Sequence, residues 1–264
     1  MDTDHRKTAL YRPRSHTPVQ RPTRKHFDSV HAALAADGLA IRRDPSTGRL
    51  RSRDGRKPDP NLPVAQILSE DYGRNEGFCQ RMRQIASSKQ AMGFADPENT
   101  GLTGNALKER IRLMSGIGLI TRYTPARSGY YVQLNPKAVS FLTKEFAQIY
   151  ICDYIRRRFR PDEIYFDVSI CGERTGSELF ALDVVCRQGS SFMAVVTALN
   201  TNLLNAPNQL DRLTRVMERL HIPLKIVVSP AVDTKALSEQ LRRRLGRPVS
   251  AGIVPYTWLD LLSS

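Results

Sequence analysis

Two apolar segments in the second half of the chain restrict most strongly what it can fold into. Glu178–Cys186 (ELFALDVVC) and Phe192–Leu199 (FMAVVTAL) are almost continuously apolar. Strands that are covered on both faces have this composition, whereas strands with one wet face alternate. The preceding segment, Ile164–Ile170, alternates in that way. We therefore expect three consecutive strands in one sheet, with helices packed against it.

The elements around these strands predict a mixed α/β domain. Ser140–Phe159 carries an apolar stripe at helical spacing, Gln209–Leu220 is an amphipathic helix, and Pro223–Ser229 is a further buried strand. The order is therefore helix, strand, strand, strand, helix, strand. The tail adds three expected elements, which are a helix around Lys235–Leu245, a strand at Val249–Val254 and a short helix at Tyr256–Leu262.

Residues 61–138 predict three helices followed by two short strands around a turn. Thr103 is expected to cap the third helix, and Gly116-Ile-Gly118 to end it. This order resembles a winged helix-turn-helix, in which the third helix enters a major groove while the wing contacts the backbone. Protein docking is the alternative role for such a module. The resemblance assigns nucleic-acid contacts to residues of the third helix and the wing: Asn105, Lys108, Arg112, Arg122 and Arg127.

The charge balance predicts a polyanionic partner. The 264 residues carry 40 Lys+Arg against 26 Asp+Glu, a net charge of +14, and such an excess repels itself unless a polyanion neutralises it. Residues 1–27 are basic and rich in proline, as in a flexible arm. The next stretch predicts a hairpin with six arginines, which suits a phosphate backbone of either DNA or RNA. These arginines are Arg42, Arg43, Arg49, Arg51, Arg53 and Arg56.

The element order of the second half is that of the PD-(D/E)XK restriction-endonuclease-like fold. It resembles the nuclease part of CRISPR-associated effector nucleases that carry a CARF sensor, which also place a winged helix before the nuclease. Phe141-Leu-Thr-Lys-Glu-Phe-Ala-Gln-Ile-Tyr150 is similar to their opening helix, and Ala181-Leu-Asp183-Val-Val to their aspartate strand. We see no separate sensor domain upstream, because residues 1–60 are too short and polar to form one, so control by a cyclic oligonucleotide has no support.

The catalytic pattern of this family is incomplete here. The resemblance places Val196 and Ala198 where a glutamate and a lysine should lie on the third strand, and neither can bind a hard cation or hold a proton of water. Asp183 alone is a poor Mg²⁺ or Mn²⁺ site. The candidates for a rescued catalytic site are Asp183, Glu145, Glu178 and Lys225.

Asp183 itself needs a partner, because an unpaired carboxylate inside an apolar strand is costly. An arginine, or a neighbouring helix that it caps, would make it structural. A retained metal ligand or another functional contact is the alternative. A second carboxylate beside it would favour an enzyme, and an arginine would favour the structural role.

Other function classes find no support. The chain has no apolar run of the roughly 20 residues that span a bilayer, so no membrane partner is expected. Its four cysteines are scattered without a CxxC pair, which indicates a reducing cytoplasm, with association to the nucleoid as an option in a prokaryote. No Walker loop, Gly-x-Gly-x-x-Gly after a strand, or Gly-x-Ser-x-Gly is present, so nucleotide hydrolysis and acyl transfer are not indicated.

Three hypotheses follow. The preferred one is a nucleic-acid-binding protein without a cofactor, whose nuclease-like domain has lost its metal site, and which serves in a prokaryotic defence ribonucleoprotein. The second is a metal-dependent endonuclease that uses Asp183 with Glu145 or Glu178. The third is a protein-docking or homodimerisation module. The expected domains are an arm (1–27), a helix and basic hairpin (28–60), a winged helix-turn-helix (61–138) and a PD-(D/E)XK-like domain (139–264).

Overall fold

The structure is a computed structural model that describes residues 28–43, 46–47, 49–50, 52–198, 224–228 and 255–257, with short helical pieces at 234–235, 238–239 and 242–243. This part of the chain is mixed α/β, which confirms the predicted fold class. The helices are α1 (Val30–Ala36), α2 (Leu62–Glu70), α3 (Tyr72–Ala86), α4 (Pro97–Thr100), α5 (Gly104–Gly116), α6 (Lys137–Ser140) and α7 (Phe146–Phe159). The strands are β1 (Leu39–Ile41), β2 (Arg53–Asp54), β3 (Met92–Ala95), β4 (Ile120–Pro125), β5 (Tyr130–Leu134), β6 (Glu163–Gly172), β7 (Glu178–Gln188), β8 (Ser191–Ala198), β9 (Leu224–Val228) and β10 (Pro255–Thr257).

The larger sheet has the order β1–β6–β7–β8–β9–β10, and β2 also pairs with β6. The three strands expected from the apolar segments are β6, β7 and β8, and they pair antiparallel, with Val184 opposite Val195. β9 and β10 extend the sheet in parallel. A parallel pair needs a crossover connection, and the amphipathic segment expected at 209–220 belongs to the stretch between β8 and β9, which lies outside the described residues.

The segment that was expected to form a separate basic hairpin instead belongs to the edge of this sheet. β1 pairs with residues 170–172 of β6, and β2 pairs with residues 165–166, both antiparallel. The two strands are therefore one interrupted edge strand, and the residues between them form an excursion that is closed by a bridge between Arg43 and Leu50. α1 is attached to the same strand, because the Val30 N–H donates to Glu163 at 3.1 Å.

The smaller sheet has the order β3–β5–β4 and packs on α3 and α5. Its first strand, together with α4, was missed by the sequence pattern, which predicted the third helix directly after the second. β3 is only four residues long and contains Gly93, where a Cβ would lie 2.8 Å from the Ile85 side chain. β3 forms where α3 approaches the backbone closely. Its short sequence has no alternation of apolar and polar residues from which a strand could be predicted. α5 begins as predicted, since Thr103 Oγ1 accepts from the Ala106 N–H.

One hydrophobic core links the two sheets. The long helix expected at Ser140–Phe159 is present as α6, a π-helical turn (Phe141–Glu145) and α7 in succession. Its buried residues join the larger sheet to α2 and α3, and the rings of Tyr72 and Phe146 stack with centroids 6.0 Å apart. The candidate sites on both sheets are therefore held by one packed body.

The tail differs from its prediction at one point. Tyr256 and Thr257 belong to β10, where Tyr256 pairs with Val227, and they do not begin a helix. Both residue types favour strands, and the apolar pattern there is too short to distinguish the two structures. The strand expected at 249–254, and residues 1–27, lie outside the described residues. Within the described part, no helix has the length and apolar character that a membrane span requires.

Candidate catalytic centre and nucleic-acid interface

Asp183 lies in the middle of β7 and is held by neutral donors. Only 7% of the residue is exposed. One carboxylate oxygen accepts from the Gln148 side-chain amide of α7, and the other accepts from the backbone N–H and, at 2.9 Å, the hydroxyl of Thr197 on β8. The sequence led us to expect an arginine or the end of a helix as its structural partner, and neither is found. The carboxylate is instead satisfied by an amide, a hydroxyl and one backbone donor.

The two glutamates that were considered as co-ligands bind elsewhere. Glu178 accepts from Arg42 at 2.5 Å. Glu145 accepts from the Ser140 hydroxyl at 2.6 Å and lies 3.9 Å from the Arg53 guanidinium. Each of these two carboxylates therefore has a partner other than Asp183. Across the described residues, no cluster of three or more His, Cys, Asp or Glu side chains could hold a metal ion.

The third and fourth strands place the remaining candidates by their register. Val184 pairs with Val195, and the same antiparallel register continued by one residue sets Asp183 beside Val196. Lys225 on β9 pairs with Val195. Lys225 thus lies one residue away from the row that contains Asp183 and Val196. In this row, the aliphatic residue Val196 occupies the position at which the catalytic glutamate was expected.

Four residues of this site were missed by the sequence analysis: Lys144, Gln148, Asp167 and Thr197. Phe166 pairs with Val184 and Val168 with Leu182, so Asp167 lies across from Asp183 on the adjacent strand. Lys144 Nζ is 3.0 Å from the Asp167 carboxylate. Lys144 and Gln148 are four residues apart and lie on one helical face. Lys144 binds Asp167, and Gln148, one turn later, binds Asp183. The spacing of these polar residues was visible in the sequence, but the strand register that pairs them was not.

Arginines of the excursion form ion pairs with acids on other elements and beside β2. Arg42 binds Glu178, and Arg53 binds Asp59 while its guanidinium lies 4.5 Å from the centre of the Phe166 ring. Arg56 binds Asp54 at 2.9 Å, and this hydrogen bond holds the pKa of Asp54 below its usual value. Arg43 and Arg49 are exposed, and Arg51 lies outside the described residues.

The cations of the smaller module are more available. α5 presents its polar face with Asn105, Lys108 and Arg112, which are three, four and seven residues apart and therefore neighbours on the helix surface. Glu109 on the same helix is bound by Arg110 at 2.7 Å, so this acid is already neutralised. All five predicted contact residues are exposed, and none forms an ion pair within the described residues: Asn105, Lys108, Arg112, Arg122 and Arg127.

Comparison with known proteins shows a shared fold. Neither a protein-family model nor a curated protein matches the sequence. The crystal structure of protein VC1899 from Vibrio cholerae is similar with a TM-score of 0.57 at 11% identity, over 88% of this chain and 58% of that chain. The structure of Can2 from Sulfobacillus thermosulfidooxidans in complex with cyclic tetra-adenylate is similar with a TM-score of 0.56 at 14% identity, over 89% of this chain and 57% of that one.

This likeness defines a class of fold. The architecture is one that this chain shares with VC1899 and Can2. The chain spans less than two thirds of the length of either structure, so the ligands and activities of those longer proteins are not transferred with the fold.

Proposed function

We propose that this protein binds nucleic acid through a winged helix-turn-helix, and that its larger-sheet domain is a PD-(D/E)XK-like scaffold that does not cleave. The observation that carries the proposal is the group of exposed cations on α5, β4 and the turn between β4 and β5, which have no acidic partner among the described residues. Cations that are not neutralised within the protein are those that gain most from phosphate contacts.

The arrangement of the smaller module supports the winged-helix assignment. α3, β3, α4, α5, β4 and β5 follow one another in the chain, and the turn at residues 126–129 has the place of the wing. In such a module α5 enters a groove, where Lys108 and Arg112 reach phosphates and Asn105 can read a base edge. Arg127, in the turn, then contacts the backbone beside the groove, whereas Arg122 on β4 remains available for a phosphate outside it.

Salt dependence tests this proposal. Affinity for a short duplex is measured by fluorescence anisotropy at several salt concentrations. On duplex DNA each phosphate contact contributes about 0.9 to the slope of log K against log salt. The double substitution K108Q/R112Q is expected to weaken binding and reduce the slope by about 2. The control is Arg56→Gln, which removes one positive charge from a cation that already neutralises Asp54 and should leave the slope unchanged. A wild-type affinity that does not vary with salt refutes the proposal.

The second half of the proposal rests on the hydrogen bonds that Asp183 already makes. A divalent cation would have to compete with Gln148 on one carboxylate oxygen and with the two donors of Thr197 on the other. Val196 supplies no ligand on the third strand, and the one carboxylate across from Asp183, that of Asp167, is bound by Lys144 at 3.0 Å. We expect no cleavage of single- or double-stranded DNA or RNA with Mg²⁺ or Mn²⁺. Cleavage that Asp183→Asn abolishes establishes the nuclease alternative.

The cellular role follows as part of the same proposal. The fold shared with Can2, and the resemblance of Phe141–Tyr150 and Ala181–Val185 to effector nucleases, support a place in a prokaryotic defence ribonucleoprotein in the cytoplasm. Protein subunits of such an assembly, or a second copy of the chain, are its expected protein partners. An assembly that survives high salt and binds no oligonucleotide favours the docking role instead.

A further inference from the structure

The smaller sheet carries an unusual concentration of exposed apolar side chains. Among the described residues, the large hydrophobic side chains with high exposure are Met92 at 48%, Tyr123 at 36% and Tyr131 at 58%. Single exposed apolar residues are normal on a protein surface. All three lie on the strands of this one sheet, β3, β4 and β5, and the strand register shows which of them share a face.

The strand register separates the two faces of this sheet. Gly93, Val132 and Tyr123 form one row across the strands, and Val132 is buried against the helices. This is the inner face, and Tyr123 lies at its margin. The rows on either side belong to the opposite face, which we call the outer face. It consists of Met92, Gln133 and Arg122 in one row, and Phe94, Tyr131 and Thr124 in the other.

The composition of the outer face indicates what binds to it. Tyr131 and Phe94 lie with ring centroids 5.0 Å apart and planes tilted by 51°. Arg122 is exposed beside them and forms no ion pair within the described residues. None of the six residues is acidic, and Gln133 and Thr124 add polar groups. Surfaces that bind single-stranded nucleic acid offer aromatic rings on which bases stack and cations that bind phosphates, and they lack acidic side chains that would repel the phosphates.

We propose that the outer face binds unpaired nucleotides, with bases stacked on Tyr131 and Phe94 and a phosphate held by Arg122. This proposal rests on the proposed nucleic-acid binding and adds a second site with a substrate class of its own. Bases in a duplex are stacked on each other and cannot reach the rings, so the ligand is a single strand or an unpaired end. α5 lies on the inner side of the sheet, so one module can hold a duplex and an adjoining single strand.

The test uses the full-length protein with a single-stranded oligonucleotide and a duplex of the same sequence. Tyr131→Ala should weaken single-strand binding by about ten- to a hundredfold, because stacking on an aromatic ring is worth that factor for each base. The slope against salt and the duplex affinity should not change. Tyr131→Phe keeps the ring and should bind like the wild type. Arg122→Gln should weaken single-strand binding and lower its salt slope by about 0.7.

A second readout does not depend on affinity. Photo-crosslinking of an oligonucleotide that contains 5-iodouracil, followed by peptide mass spectrometry, should place crosslinks on Tyr131 or Phe94. Unchanged single-strand binding by Tyr131→Ala, with crosslinks on other elements, overturns this proposal even if K108Q/R112Q reduces duplex binding as expected. A wild-type protein that binds neither oligonucleotide refutes the proposed function itself. Loss of a protein partner or of a dimer in Tyr131→Ala, with single-strand binding intact, makes the outer face a protein-docking surface and also overturns the proposal.

Discussion

The substitution Asp183→Ala distinguishes a structural carboxylate from a metal ligand. In a metal site without its ion, acidic side chains repel each other, so removal of one acid tends to stabilise the fold. Asp183 instead accepts three hydrogen bonds from Gln148 and Thr197. The alanine leaves those donors without an acceptor. We therefore expect Asp183→Ala to lower the free energy of unfolding.

The magnitude follows from the burial of each donor. Gln148 is 1% exposed, so its amide cannot be rehydrated, and an unsatisfied buried donor costs about 1–3 kcal/mol. Thr197 is half-buried, and water can replace part of what its two donors lose. Asp183→Ala also removes a buried carboxylate whose charge is costly to desolvate, and this offsets part of the loss in stability. The expected net loss is about 2–4 kcal/mol.

Urea unfolding followed by circular dichroism measures this loss as a lower midpoint at an unchanged m-value. Asp183→Asn keeps the shape and one oxygen, so its loss should be smaller, about 1 kcal/mol. Asp167→Asn is the matched control, because its exposed carboxylate has one lysine partner and surface pairs contribute below about 1 kcal/mol. The reasoning is wrong if Asp183→Ala is as stable as the wild type, or if Mg²⁺ raises the wild-type midpoint and not that of Asp183→Ala.

Three further predictions concern the backbone and the thiols. Arg160 ends α7 with φ +46°, a conformation that favours glycine, so Arg160→Gly should raise the free energy of unfolding by up to about 1 kcal/mol; a lower urea midpoint contradicts this. Gly129→Ala would place a Cβ against the Ala95 carbonyl and 2.8 Å from the Asp96 Cβ. It should therefore destabilise the fold and weaken duplex binding. The control is Gly116→Ala, where the space for a Cβ is open and duplex binding should not change. Burial raises the pKa of Cys79 and Cys152 to about 12, so both thiols should resist iodoacetamide at pH 8 in the native protein and react in urea; labelling of the native protein at either site contradicts their burial.

The excursion between β1 and β2 shows where prediction from sequence ended. The turn residues and the six arginines made a hairpin the simplest interpretation, and the Arg43–Leu50 bridge retains that local feature. The partner of the flanking strands is β6, more than a hundred residues away in the chain. Local turn chemistry cannot specify such a pairing. For the same reason, the ion pairs that engage Arg42 and Arg53 were not visible in the sequence.

Periodicity and composition alone determined the mixed α/β class, the three central strands, the long helix around α7 and the cap of α5 by Thr103. These features depend on neighbours within a few residues, which a linear pattern records. Only the tertiary structure decided that Gln148 and Thr197 would meet Asp183, and that Tyr131 and Arg122 would share an uncovered sheet face. Those contacts depend on strand register and helix placement, because a shift of one residue in register turns every side chain to the opposite face.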